Sequence, residues 1–211
     1  MVQNTKNDIL EAAILLFNTK GFTGTSIRDI AGKARVNVSN ISYYFQSKEG
    51  LLEHCLTTYF EQYLQLIEEG YYEGMKEGAL SQLQHITEKI LHFHCQHIHL
   101  TRLVLREISI DSQMVREVMA TYILKERYYL KLVFEEGIRS KEFQSFSVNY
   151  MLIQYKSLIT MPFLNSYYLT EVLQVLPNER YFVKRYLKDL NGWFQGVICR
   201  RPSPNLSAAN N

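Results

Sequence analysis

The chain contains few of the residues that interrupt helices or cross-link a fold. Its 211 residues include four prolines, ten glycines and three cysteines. The scarcity of turn-forming residues argues against a β-sandwich or a barrel, because those folds need turn signals at short, regular intervals. Cys55, Cys95 and Cys199 are widely spaced and odd in number, so they predict no disulfide framework and fit a reducing cytoplasm.

Long hydrophobic runs and an excess of charge of one sign are also absent. The longest uncharged runs, 143–155 and 157–170, are too short and too polar to span a bilayer, and the polar N-terminus predicts no secretory signal. The net charge of +2 points to no particular partner. Residues 1–50 carry six basic and four acidic side chains, which makes this end a weak candidate for binding nucleic acid.

What the chain does have is hydrophobic residues at helical spacing. They make up 46% of the sequence, an ordinary fraction for a globular protein, and they recur three and four residues apart along most of it. We therefore predict an all-α protein with a helix-turn-helix head in residues 1–50, a helical body in 51–199 and a disordered tail in 200–211.

Caps and breaks divide the predicted helices. Four helices are expected to start at polar capping residues. The first cap is Asn4 or Thr5, and the next three are Thr25, Asn37 and Ser47. Gly70, Gly74 and Gly78 are expected to loosen the chain after a long fourth helix, and Pro162 is expected to end a helix that starts near Val148. The other body helices are predicted at about 80–97, 99–109, 112–139 and 179–197.

Three short helices in the head, with a tight connection at 33–37, are typical of the helix-turn-helix plan. A recognition helix must show small polar side chains to DNA and must be held from behind by apolar residues. Residues 37–45 meet these conditions, because Ile41 and Phe45 fall on one side of the helix and polar residues on the other. The candidates for contacts with bases and phosphates are Ser39, Asn40, Ser42 and Tyr43.

Residues near other helix starts are candidates for phosphate contacts. Thr25 and Ser26 place hydroxyl and N–H groups at the start of the second helix, and Lys48 adds a full charge at the start of the fourth. Any one of these residues is more simply explained as part of a helix cap, whereas the three together, at this spacing around the recognition helix, favour phosphate contacts. Val38 has two interpretations, support for the core or contact with a thymine methyl group.

Motifs in this region resemble the TetR family of transcriptional regulators. The similarity rests on 16–22, 25–31, 36–37 and 43–51, and it covers about residues 5–52. It implies a homodimer with N-terminal DNA-binding heads, bound to an inverted repeat in double-stranded DNA. By position, Thr25, Tyr43, Tyr44 and Lys48 match the family's phosphate contacts, and Val38, Ser39, Asn40 and Ser42 match its base-reading face. Ser42 departs from the pattern, since the family usually has an aromatic residue there.

A second similarity extends into the body. The segments 100–102, 106–107 and 110–112 resemble a TetR-type regulator of endospore-forming bacteria. This resemblance implies a cytoplasmic, nucleoid-associated protein of sporulating cells. Such a protein would act, while bound to DNA, on the tubulin-like cell division protein FtsZ near the cell pole.

Two surfaces of the body are assigned from residue type and position. Arginine suits bidentate contacts with carboxylates, so we predict a partner or effector surface, with a solvated face as the alternative. Its candidates are Arg102, Arg106, Glu107, Arg116 and Glu117. Glu107 falls among apolar residues on the helix, so it should pair with a polar group or line a pocket. The resemblance places the dimer interface on the last two long helices, with candidates Tyr150, Ile153, Leu158, Tyr186, Leu190 and Trp193.

The sequence offers no site for enzymatic chemistry. It has no Gly-rich phosphate loop, nucleophile elbow or HExxH motif, so we predict no enzyme and no cofactor. His92, Cys95 and His99 have a spacing that could bind a metal, but they form no four-ligand set, and no metal site is predicted. The alternative to a regulator with a protein partner is a ligand-responsive repressor. A filled body interior favours the former, and an open apolar chamber favours the latter.

Overall fold

The computed structural model describes residues 2–110, 112–177 and 180–200. Within these ranges the regular structure is helical apart from one isolated antiparallel bridge between Phe143 and Cys199, which confirms the all-α prediction. The helices are α1 (Val2–Lys20), α2 (Ile27–Ala34), α3 (Val38–Phe45), α4 (Lys48–Gly74), α5 (Ala79–Gln96), α6 (Ile98–Ile110), α7 (Gln113–Arg139), α8 (Val148–Leu164) and α9 (Arg180–Trp193), with π-helical turns at Tyr168–Val172 and Phe194–Ile198.

The head consists of α1, α2 and α3 around a small apolar core. Its buried side chains include Ile9, Ala13, Phe17, Ile30, Ile41 and Phe45. Helix α1 begins at Val2, so the predicted caps at Asn4 and Thr5 are wrong, because both residues lie inside the helix. Gly21 follows the end of α1 with a φ of 77°, a left-handed conformation that glycine adopts without a steric penalty.

Helix α4 joins the head to the body as one continuous helix. It includes Gly70 and Gly74, so the expectation that these glycines loosen the chain is wrong. A Cβ on Gly70 would lie 2.7 Å from the main-chain nitrogen of Ile86, and one on Gly74 would lie 2.4 Å from that of Gln82. The two glycines therefore allow α5 to pack closely against α4.

Helix α8 continues through Pro162 to Leu164, so the prediction that Pro162 ends it is wrong. Proline has no N–H, which leaves the carbonyl of Leu158, four residues earlier, without its helical donor. The hydroxyl of Tyr186 on α9 donates to that carbonyl at 2.7 Å. Packing of α9 thus replaces the hydrogen bond that the proline removes.

In the body, α5, α6 and α7 contact α4. Helices α5 and α7 pack along it, while α6 contacts both α1 of the head and α8 of the body. Among the described residues, no helix combines the length and the apolar character needed to cross a membrane. Of the predicted disordered tail, residues 201–211 lie outside the described part of the chain, and the N–H of Arg200 donates to the carbonyl of Glu142 at 2.9 Å.

Candidate nucleic-acid interface

Helix α3 separates apolar from polar side chains as its sequence predicts. Ile41 and Phe45 are buried in the head core, whereas Ser39, Ser42 and Tyr43 are exposed. The other predicted contact residues of this helix, Val38, Asn40 and Tyr44, are half-buried. The outward side of α3 therefore presents hydroxyl groups on a support fixed by the core.

Asn37 fixes the start of α3, as predicted. Its side-chain oxygen accepts the N–H of Ser39 at 2.9 Å and also the hydroxyl hydrogen of Ser39 at 2.9 Å. Because that hydrogen is used in the cap, the hydroxyl oxygen of Ser39 is left as an acceptor. Arg35, with a φ of 57°, ends α2 and makes the sharp turn between the two helices.

The two tyrosines near the end of α3 differ in exposure. Tyr43 is 80% exposed, and its ring meets the ring of half-buried Tyr44 edge to face with centroids 4.9 Å apart. This contact restricts both rings, because edge-to-face pairs are favourable. Tyr43 therefore holds its hydroxyl away from the head in a defined direction.

Thr25 is buried at the loop between α1 and α2. Its hydroxyl lies 2.7 Å from the carbonyl oxygen of Gly21 and 3.2 Å from that of Leu16, and it donates to this pair. The prediction that Thr25 caps α2 is wrong, because the N-cap is Ser26. In this arrangement the Thr25 hydroxyl holds the loop instead of donating to a phosphate.

Ser26 and Asp29 form a capping box at the start of α2. The N–H of Asp29 donates to the Ser26 hydroxyl oxygen at 3.1 Å, and the Ser26 N–H donates to the Asp29 carboxylate at 2.9 Å. The Ser26 hydroxyl also donates to this carboxylate at 2.6 Å. These bonds, with the ammonium group of Lys20 at 3.0 Å, hold the pKa of Asp29 well below its usual range.

Lys48 links the start of α4 to the loop between α1 and α2. Its ammonium group donates to the carbonyls of Phe22 and Thr25, both at 2.9 Å, and lies 4.4 Å from the centre of the Phe22 ring. An ammonium group has three hydrogens, so one is left for an external acceptor. Lys48 therefore has a structural role in the head, and its predicted phosphate contact would use the third hydrogen.

Gly50 sets the distance between α3 and α4. A Cβ at this position would lie 2.2 Å from the carbonyl oxygen of Phe45, the last residue of α3. No side chain can be accommodated at that separation unless one helix moves. Ser47 caps α4 as predicted, by accepting the N–H of Gly50 at 3.0 Å.

Lys6 is a basic residue beside α3 that is not among the predicted contact residues. Its ammonium group lies 5.7 Å from the centre of the Phe45 ring, so α1 brings a positive charge to the end of α3. Residue spacing could not predict this contact, because Lys6 and Phe45 are far apart in the sequence.

Comparison with known proteins agrees with this geometry. The family model for bacterial regulatory proteins of the tetR family matches residues 9–55. YttP of Bacillus subtilis strain 168, described as a probable HTH-type transcriptional regulator, is 41% identical over 198 residues that cover 94% of this chain and 96% of YttP. The chain belongs to the TetR family.

Solved structures of TetR regulators share its fold. A regulatory protein of the tetR family from Rhodococcus RHA1 has a TM-score of 0.73 at 18% identity, covering 93% of this chain and 98% of that protein. The TetR family regulator PfmR from Thermus thermophilus has a TM-score of 0.74 at 16% identity, with coverages of 91% and 99%. The chain is thus a DNA-binding transcriptional regulator with a helix-turn-helix head and a helical body.

The five residues predicted for a partner surface of this TetR regulator do not all lie on its exposed surface. Arg106 donates to carbonyls at the end of α1, and Glu107 is buried with its carboxylate 3.5 Å from the Arg106 guanidinium group. Arg102 is half-buried, whereas Arg116 and Glu117 are exposed near the start of α7. The structure therefore places two of the five predicted residues at the junction between head and body.

The residues predicted for the TetR-type dimer interface differ in exposure. Tyr150 and Ile153 are exposed on α8, whereas Leu158, Tyr186 and Trp193 are half-buried. Leu190 is 3% exposed and packs in the core of its own protomer, which removes it from the predicted interface. Tyr150 and Ile153 are thus available to a partner, whereas Leu190 serves the protomer's own packing.

A cluster of polar and aromatic side chains fills the centre of the body. The hydroxyl of Tyr59 is hydrogen-bonded to Nε2 of His94 at 2.8 Å, and Tyr63 donates to the carboxylate of Glu126 at 2.5 Å. Lys156 forms an ion pair with the same carboxylate. Burial lowers the pKa of His94 to about 3, and the positive charge of Lys156 adds to this effect. The cluster thus joins side chains of α4, α5, α7 and α8.

The histidine-rich stretch does not form a metal centre in the described part of the chain. No group of three or more His, Cys, Asp or Glu residues there is placed to hold a metal ion. His92 is exposed, while His94 is buried and bonded to Tyr59.

Proposed function

We propose that the protein is a homodimer that binds an inverted repeat in double-stranded DNA through α3. The observation that carries this proposal is that α3 is amphipathic: Ile41 and Phe45 are buried, whereas Ser39, Ser42 and Tyr43 are exposed. An element of this size and polarity fits the major groove. TetR regulators are typically homodimers, and a two-fold dimer reads two symmetric half-sites.

Base reading is assigned to Val38, Ser39, Asn40 and Ser42. The Ser39 oxygen acts as an acceptor, so it suits the exposed amino groups of adenine or cytosine. The Asn40 amide can form a bidentate pair with adenine, and Val38 can contact a thymine methyl group.

Contacts with the DNA backbone are assigned to Tyr43, Tyr44 and Lys48. The predicted phosphate contacts of Thr25 and Ser26 are not retained, because the N–H and hydroxyl groups of both residues already donate within the head. Tyr43 is the more exposed of the two tyrosines, and Lys48 can offer its third hydrogen to a phosphate. Such contacts fix the position of the duplex and carry no sequence information.

A binding experiment tests this assignment. An inverted-repeat duplex is first selected from random DNA, and its Kd is then measured for the wild type and Tyr43→Phe at several salt concentrations. The affinity should fall steeply with salt, and Tyr43→Phe should weaken binding to all duplexes alike. Tyr72→Phe, which removes a hydroxyl from an exposed tyrosine of the body, serves as the matched control. A salt-independent affinity would contradict the proposal.

We further propose that the DNA-bound dimer acts on a protein partner, FtsZ, in the cytoplasm at the nucleoid. The support is the resemblance in segments 100–102 and 106–107. Arg102, Arg116 and Glu117 are the surface residues assigned to this contact.

Sedimentation of FtsZ polymers tests the partner directly. Purified FtsZ is polymerised with the operator-bound wild type and with Glu117→Lys, whose operator affinity is measured in parallel. The wild type should change the sedimented fraction, and Glu117→Lys should lose this effect while it retains DNA binding. No effect of the wild type would contradict the FtsZ assignment and leave the DNA-binding assignment intact.

A further inference from the structure

A cavity of about 610 Å³ lies between the DNA-binding head and the body. Residues 20–24, at the end of α1, form its head side, and the C-terminal part of α6 forms its body side together with the start of α4. Its apolar lining comes from Phe22, Leu52 and Ile110. The volume is that of a small-molecule site, and such sites combine apolar walls with a few polar groups.

Glu107 places a buried carboxylate on the body side of this cavity. Among the described residues its one ion pair is with Arg106, whose Nη2 lies 3.5 Å from Oε1 of Glu107. That nitrogen already donates to the Phe17 carbonyl at 2.6 Å, and Nη1 donates to the Asn18 carbonyl. The part of the chain that the structure describes donates no hydrogen bond to the Glu107 carboxylate. Buried charges in proteins are usually both paired and hydrogen-bonded, so this carboxylate is incompletely compensated.

The other charged residues of the cavity leave its negative charge available. The ammonium group of Lys20 is paired with the carboxylate of Asp29 in the head, at 3.0 Å. The Arg106 charge is directed at two carbonyls at the end of α1, where it complements the helix dipole. Glu49, in the first turn of α4, is exposed and has no ion-pair partner within the described residues. Two carboxylates beside apolar walls suit a ligand with a positive charge and an apolar body.

We propose that this cavity binds a small organic cation, a primary ammonium group on an apolar body, through the Glu107 carboxylate. An ammonium group has three hydrogens, so it supplies the donors that Glu107 lacks. The apolar body of the ligand packs against Phe22, Leu52 and Ile110. Ile110 is 61% exposed, so the ligand would also remove an apolar side chain from water.

The position of the cavity connects this ligand to DNA binding. Its head side, residues 20–24, leads into α2, and its body side includes Arg106, which bonds to the end of α1. A cation in the cavity contacts both sides and competes with Arg106 for the Glu107 carboxylate. Its binding therefore changes how the head is held and, with it, the operator affinity, an effect that rests on the DNA binding proposed for α3.

Calorimetric titration of the full chain with matched probes tests the site. Hexylamine and phenylethylamine carry the proposed ammonium group, whereas hexanol and phenylethanol are neutral and hexanoate is an anion of similar size. Both amines should bind the wild type saturably. The alcohols and hexanoate should bind at least about tenfold more weakly, because a charge-assisted hydrogen bond to Glu107 is lost.

Two variants assign the binding to this cavity. Glu107→Gln keeps the size of the side chain and removes its charge, and Ile110→Lys brings an ammonium group to the cavity from an exposed position. Each should weaken amine binding at least about tenfold. Glu135→Gln changes an exposed carboxylate of α7 that does not line the cavity, and it should stay within about twofold of the wild type. Circular dichroism and the thermal midpoint verify that each variant is folded.

The operator Kd is then measured with and without saturating hexylamine. It should change at least about threefold in the wild type and not in Glu107→Gln, and the operator should change the hexylamine Kd by the same factor. No saturable amine binding, equal binding of hexanol, or wild-type affinity in either folded cavity variant would overturn the site. Amine binding that leaves the operator Kd unchanged would overturn the link to DNA. Failure of the wild type to bind any operator would contradict the proposed function and leave the test of the site intact.

Discussion

The guanidinium group of Arg106, on body helix α6, donates to the carbonyl of Phe17 in the last turn of head helix α1, at 2.6 Å. It also donates to the carbonyl of Asn18 at 3.2 Å, and the Asn18 side chain donates to the carbonyl of His99 at 2.7 Å. A cation at this end of α1 also complements the helix dipole. These bonds join the DNA-binding head to the body.

We therefore expect Arg106→Ala to weaken DNA binding. Loss of the two charge-assisted hydrogen bonds should destabilise the fold by about 1.5–3 kcal/mol and lower operator affinity severalfold. Chemical unfolding and a binding titration measure the two effects. Arg127→Ala, an exposed arginine on α7, is the control, and equal behaviour of the two variants would refute the role of Arg106.

Replacement of Gly50 by alanine should displace α3. The added Cβ would lie 2.2 Å from the Phe45 carbonyl oxygen, and overpacking of this kind costs about 1–3 kcal/mol. Operator binding should fall with stability, because the recognition helix moves. Gly32→Ala, in α2, meets no atom within 4 Å and should be neutral or stabilising by up to about 1 kcal/mol. Thermal unfolding of both variants measures the difference in stability. A stable, DNA-binding Gly50→Ala would contradict the close packing.

Loss of the Tyr186 hydroxyl should destabilise the packing of α9 on α8. Tyr186→Phe leaves the Leu158 carbonyl without the donor that substitutes for the missing N–H of Pro162, and we expect a loss of about 1–3 kcal/mol in urea unfolding. Tyr181→Phe removes an exposed hydroxyl from the same helix and should change the free energy of unfolding by less than about 0.5 kcal/mol. Similar losses in the two variants would show that the bond contributes little.

Acidification should destabilise the body through His94. Its pKa is about 3 in the folded chain and near 6.5 when unfolded, so between these values the unfolded state binds the extra proton. Stability is therefore fully present above pH 6.5 and falls as the pH decreases, by about 2 kcal/mol between pH 7 and pH 5. His94→Gln should flatten this part of the profile, and exposed His92→Gln should not. A profile that is unchanged in His94→Gln would assign the pH dependence to other groups.

The features of the head that the sequence predicted have local causes. Asn37 and Ser47 cap their helices as expected, since a cap bonds to residues two or three positions further along the chain. The burial of Ile41 and Phe45 follows from helical spacing alone. Placement of these residues required no knowledge of the rest of the fold.

The features that could not be predicted depend on distant parts of the chain. Pro162 lies inside α8, where the Tyr186 hydroxyl donates to the Leu158 carbonyl in place of the missing N–H. Gly70 lies inside α4, where the absence of a side chain lets α5 pack closely. Residue type alone favours a partner surface for Arg106, whereas its bonds to α1 join residues that are far apart in the sequence. Helical spacing and residue type contain no information on these contacts.

The base preference of α3 variants tests the central claim most directly. Affinities are measured for the wild type, Ser39→Ala, Asn40→Ala, Ser42→Ala and Tyr43→Phe on a set of inverted-repeat duplexes that differ by one symmetric pair of base pairs at a time. Asn40→Ala should lose about 1–3 kcal/mol of discrimination at one base pair of each half-site, whereas Tyr43→Phe should weaken every duplex equally. If Asn40→Ala, Ser39→Ala and Ser42→Ala all keep the wild-type preference at every position, α3 does not read the DNA sequence and the account is wrong.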